Sequence, residues 1–170
     1  MRKLLPFAIT SLLGSSAMAA DLTVKLEVPR LNVAEYHRPY VAMWIEKSDQ
    51  TFAGNLAVWY DLKKRDNEGL KYLKDLRQWW RRSGRDLQLP VDGVSGATRV
   101  VGEYTLNFAG DKGALAKLPA GDYQLVTEAA REGGGREVVK VPFQWGGKTE
   151  QNAKAQGSNE LGAIALNVKP

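Results

Sequence analysis

Asp21-Leu-Thr-Val-Lys-Leu-Glu-Val28 alternates without a slip: Leu22, Val24, Leu26 and Val28 are apolar, and Thr23, Lys25 and Glu27 are polar. A period of two puts all four apolar side chains on one face, as in a half-buried strand. Pro29, which has no backbone N–H to donate to a ladder, stops it. Further along, Tyr40–Glu46 (YVAMWIE) and Asn55–Asp61 (NLAVWYD) are more continuously apolar, as central strands are. Lys47-Ser48-Asp49-Gln50 and Gly54 supply the turn between them.

Strand patterns resume near the middle of the chain. Residues 98–108 end in the alternation Tyr104, Leu106, Phe108, and residues 122–130 carry Tyr123, Leu125 and Thr127. Residues 138–145 carry Val139, Val141, Phe143 and Trp145, and residues 161–168 carry Ile164, Leu166 and Val168. Pro119-Ala120-Gly121-Asp122 leads into one strand, and Gly133-Gly134-Gly135 bends a hairpin. Residues 146–159 are small and polar and read as a mobile surface loop.

One stretch changes period. From Asn67 to Arg82, Leu70, Leu73, Leu76 and Trp80 fall three and four residues apart, which predicts one helix over 67–82. Asp66 or Asn67 can cap its start, and Gly84 follows its basic last turn. Tyr72 and Trp79 fall off the apolar stripe and are the candidates for exposed aromatics. Trp44, Trp59 and Trp145 sit inside strand patterns. The sum is a mainly β fold: an immunoglobulin-like antiparallel β-sandwich of about seven strands with one inserted α-helix.

At the N-terminus, Met1-Arg2-Lys3 precedes an apolar run from Leu4 to Leu13, and Ala17-Met18-Ala19 ends a stretch of small residues. This is the tripartite pattern of a secretory signal peptide over 1–19. The run is too short to span a bilayer. The expectation is a soluble periplasmic domain over 20–170. Loss of Arg2 and Lys3 would lower the net charge from +5 to +3, too mild to point to nucleic acid.

The chain has no cysteine, so thiol nucleophiles, iron–sulfur ligation and c-type haem attachment are excluded. A single histidine, His37, argues against a zinc or copper site and serves no nucleophile elbow. His37 reads as a surface residue at a strand entry. No carboxylate pair stands out for glycoside hydrolysis. The expectation is no metal, no haem and no enzyme activity.

The loop after the helix, 83–98, ends in Asp92-Gly93-Val94-Ser95-Gly96-Ala97-Thr98. D-x-x-S-G-A-T resembles the covalent-FMN attachment sequence of sodium-pumping quinone reductases, Rnf-type complexes and small exported FMN-binding domains. From the signal peptide to the last strand the chain also resembles a family of predicted periplasmic proteins of unknown function. Outside the motif it does not resemble the usual FMN-binding domain, so only the tag carries over.

The resemblance implies that an extracytoplasmic flavin transferase moves FMN from FAD onto the Thr98 hydroxyl. AMP leaves, and the transferase supplies base and magnesium. It makes Asp92 a recognition residue and implies a PepSY-type or other membrane reductase as electron donor. Glycines Gly93 and Gly96, with small Ser95 and Ala97, suit a loop that enters another active site in extended form. Arg99 can pair with the remaining phosphodiester charge, and Trp79 or Trp80 can stack on the isoalloxazine. The other reading of the same residues is plain: Asp-Gly turns, Ser-Gly-Ala links and Thr98 starts a strand. The protein would then be a non-catalytic binding module for a protein or carbohydrate.

Overall fold

The computed structural model describes residues 20–170, so the expected signal peptide lies outside the described residues. Nine strands form two packed sheets among them: β1 (Asp21–Val28), β2 (Tyr40–Lys47), β3 (Phe52–Tyr60), β4 (Ser95–Ala97), β5 (Gly102–Phe108), β6 (Gly121–Ala130), β7 (Arg136–Trp145), β8 (Gln151–Gln156) and β9 (Ala163–Lys169). One sheet runs β5-β1-β9-β8 and the other β4-β3-β2-β6-β7. The β-sandwich expected from the alternation is the fold, with β4 and β8 as strands beyond the seven expected.

Two apolar layers explain the strand compositions. Leu22, Val24, Leu26 and Val28 meet Val41, Met43, Ile45, Leu125 and Val141 between the sheets. The outer face of the five-stranded sheet is apolar too, and Ala42, Trp44, Val58 and Val126 pack under Leu73, Leu76 and Trp79. β2 and β6 are therefore covered on both sides, which is why YVAMWIE reads as one apolar run. Trp44, Trp59 and Trp145 are buried as their strand settings suggested.

The helix expected over 67–82 is broken. Its pieces are α1 (Glu68–Lys71), a 3-10 turn at Leu73–Asp75 and α2 (Arg77–Arg82). Asp66 and Asn67 adopt positive φ, 53° and 57°, and Asn67 makes no side-chain cap. The break falls at Leu76, with ψ at 69°. There the Glu128 carboxylate accepts the backbone N–H of Gln78 at 3.0 Å and of Trp79 at 2.7 Å. A strand carboxylate thus takes the place of preceding helical carbonyls at the start of α2.

The break resets the helical phase. Trp79 turns inward and is fully buried; its Nε1 donates to Asn55 Oδ1 at 2.8 Å. Gly84 lies against the Trp79 ring, where a Cβ would collide. Trp79 is therefore not the exposed aromatic expected, whereas Tyr72 is 39% exposed.

Residues 146–159 are not simply a loop. They contain β8, in which Ala153 and Ala155 pair with Leu166 and Ile164 of β9. The segment Ser158–Leu161 is gathered by Glu137, whose carboxylate accepts the backbone N–H of Ser158 (2.6 Å), Asn159 (3.0 Å) and Leu161 (2.9 Å). The expected strand over 98–108 is two elements: β4 ends at Ala97, β5 starts at Gly102, and the residues between cross from one sheet to the other. β4 also pairs parallel with β3, so the sandwich is not wholly antiparallel. Among the described residues no helix is long and apolar enough to cross a membrane.

Candidate functional site

The motif folds as a tight turn running into an edge strand. Val94 and Ser95 donate their N–H groups to the Val91 carbonyl at 3.1 and 2.8 Å, and Ser95 Oγ accepts the Val91 N–H at 2.9 Å. Gly93 holds φ at +73°, a conformation that a side chain would strain. Asp92 stands exposed at the turn. Gly96 packs on Trp59, where a Cβ would lie 3.0 Å from Cδ1.

β4 is in register with β3: Ser95 is opposite Val58, Gly96 opposite Trp59 and Ala97 opposite Tyr60. Thr98 extends the ladder by donating its N–H to the Tyr60 carbonyl at 3.2 Å. The motif is thus paired along one side, not a free link. Ala97 is exposed and Thr98 half-buried.

Thr98 lines an open cleft of about 760 Å³ at one end of the five-stranded sheet. The cleft collects the ends of five strands, β4 with Thr98 among them. Arg38 and Tyr40 come from the entry to β2, and Asp61 and Lys64 follow β3. Tyr72, Asp75 and Arg77 come from the helical segment. Arg131 to Arg136, including Glu132 and the three glycines, come from the β6–β7 hairpin. Sheet register aligns these walls, because Tyr40 pairs with Ala130 and Ala130 with Arg136.

Two of the arginines are fixed from behind. Arg131 meets buried Glu160 through Nε and Nη2 at 2.9 and 3.1 Å. Arg136 donates to buried Glu128 at 2.8 Å and keeps 40% of its side chain open. Among the described residues Arg38, Lys64 and Arg77 make no ion pair. Lys64 Nζ stands 4.7 Å above the Tyr72 ring. His37 lines the same cleft, 3.2 Å from Glu35 and 3.9 Å from Glu132. Burial holds the Tyr40 phenol above its ordinary pKa, so it is a neutral donor at physiological pH.

The structure brings Ser95, Gly96, Ala97 and Thr98 onto β4 and its exit, beside the cleft. It leaves Trp79 out of the cleft lining, on the buried face of α2. Arg99 leans over Trp59 and Tyr104, at 5.3 and 5.6 Å from their ring centres. The wall residues escaped the sequence reading because they come from four distant stretches. The one available signal was the Gly133–Gly135 hairpin, flanked by Arg131 and Arg136.

A hydroxyl at the rim, guanidinium and ammonium donors, and two tyrosines suit a ligand with an anionic phosphate and a flat ring. The donor set therefore fits FMN on Thr98. Among the described residues no three His, Asp or Glu side chains converge as metal ligands.

No curated protein and no solved structure matches the chain. Residues 21–163 match the family described as predicted periplasmic protein (DUF2271), and the chain belongs to that periplasmic family.

Proposed function

We propose that this protein is a periplasmic electron carrier that holds FMN as a phosphoester on Thr98. The observation that supports it is the position of Thr98, at the exit of an edge strand and on the wall of a donor-rich cleft. In the transfer, the Thr98 oxygen forms a bond to the FMN phosphorus of FAD. The pyrophosphate bond to AMP breaks, and the hydroxyl proton passes to a base of the transferase. The attached group supplies one- and two-electron chemistry. This chain presents the acceptor hydroxyl, fixes its strand through Tyr60, and surrounds it with donors for the phosphodiester. A membrane reductase of the PepSY type would deliver electrons, and the protein would act as a carrier rather than an enzyme.

The test is intact mass after export from cells with an active flavin transferase, with Thr98→Ala alongside. One added FMN on the parent protein, absent from the variant, is the expected result. An unmodified parent, while the same transferase loads a known substrate, overturns the proposal and leaves a binding module.

A further inference from the structure

We propose that the cleft beside Thr98 is a flavin seat in its own right, with affinity for FMN that does not require the covalent bond. The inference rests on the carrier reading for the identity of the ligand but makes a separate demand on the residues. A flavin tethered to Thr98 needs a surface for its ring. The tryptophans of α2 do not offer a free pair: Trp79 is fully buried, and Trp80 is tilted against it with ring centres 6.4 Å apart. The cleft is the alternative on the same side of the tether.

Its volume, about 760 Å³, lies within the range of roughly 300–1,000 Å³ typical of small-molecule sites. Its walls are set before any ligand arrives. Tyr40, Ala130 and Arg136 lie in one row of the sheet, and Glu128 holds Arg136 by one nitrogen. A guanidinium has five N–H donors, so Arg136 keeps others for a ligand. Across the opening, Tyr72 is a half-open aromatic with a cation already over its ring. The other face of that ring can stack on an isoalloxazine, while Arg77 serves the phosphate.

The charge balance narrows the ligand. Asp61, Asp75 and Glu132 share the cleft with the cations. Buried Glu160 and Glu128 already neutralise Arg131 and Arg136. What remains, Arg38, Lys64 and Arg77 beside Asp61, Asp75 and Glu132, is a donor-rich wall with no net charge. That suits one phosphate with a neutral ring better than a polyanion, which needs a continuous basic stripe.

The test is a titration of unmodified protein, purified without transferase, and of Thr98→Val, with free FMN followed by flavin fluorescence. Saturable quenching is expected in both. Riboflavin, lacking the phosphate, should bind about tenfold more weakly, as should FMN to the Tyr72→Ala/Arg77→Gln pair. Both substitutions are at exposed positions, and an unchanged melting temperature checks that the fold is kept. Absence of saturable quenching, equal affinity for riboflavin, or no loss in the double variant overturns the seat. The two proposals separate cleanly. FMN bound reversibly to protein whose Thr98 is never modified keeps the seat and removes the carrier. Thr98 loaded with a flavin as fluorescent as free FMN keeps the carrier and removes the seat.

Discussion

The guanidinium of Arg99 lies over the indole of Trp59, 5.3 Å from guanidinium carbon to ring centre, and 5.6 Å from the ring of Tyr104. Trp59 belongs to β3 in one sheet and Tyr104 to β5 in the other, and their rings meet edge to face at 5.7 Å. Arg99 therefore fastens the chain just where it crosses between sheets, one residue after Thr98. Gly96 rests on the same indole from the other side of Thr98 in sequence.

Replacing Arg99 by alanine should cost about 0.5–1 kcal/mol, the usual worth of an exposed cation–π contact. Lysine should recover part of it, because it keeps charge but not the flat guanidinium. Urea melts of the three proteins check this, and an unchanged midpoint in Arg99→Ala would refute it.

Glu128 serves two backbone donors of α2 and the Arg136 guanidinium from a fully buried position. Glu128→Ala leaves them without an acceptor and should cost about 3–5 kcal/mol. Glu128→Gln keeps one acceptor and should cost less. Limited proteolysis should show earlier cutting between residues 61 and 94 in the alanine variant, since α2 loses its anchor.

Arg131 and Glu160 form a pair in which both side chains are about nineteen-twentieths buried, at 5% and 4% exposure. Arg131→Met alone strands a buried carboxylate and should destabilise by about 3–5 kcal/mol. Adding Glu160→Leu should return much of that loss, because the lone charge is then gone. Four chemical melts complete the double-mutant cycle; additive losses would contradict the pairing.

Glu137 tests the acid side. Burial pushes its pKa up, but the N–H donors of Ser158, Leu161 and Asn159 outweigh that and hold it below the ordinary glutamate value. A depressed folded pKa means stability that is present above the unfolded value and lost as pH falls through the folded one. The loss should therefore begin near about pH 4.3 and continue below it. Glu137→Gln should be less stable at neutral pH and show a flatter acid limb. Melting temperature against pH for both proteins decides it; parallel acid limbs would rule it out.

Much of the sandwich was readable from side-chain period. Leu22 to Val28 alternate because only one face of β1 is buried, and Tyr40 to Glu46 do not because helices cover the second face. β8 was missed because its inward residues are Ala153 and Ala155, too small to raise a hydrophobic signal. β4 was missed for the same reason, since Ser-Gly-Ala carries no pattern. The helix break was invisible locally, because the group that restarts α2 is Glu128, 49 residues from Trp79. That distant carboxylate is what turned Trp79 inward. The motif and its threonine were legible as an ordered string, but the cleft was not, because Arg38, Lys64, Tyr72 and Arg136 come from distant stretches that only the fold brings together.

β4 has one more consequence, for how this protein keeps company with itself. An edge strand with unpaired backbone groups is a template on which a second chain can extend the sheet. β4 is three residues long, and the chain turns away at both its ends, so it offers too few successive bonds to seed such growth. The opposite edge of the same sheet, β7, carries Lys140 and Pro142 within it, two further guards against edge-to-edge association. The short strand that leads into Thr98 thus leaves this edge of the sheet little room for a second copy to extend it.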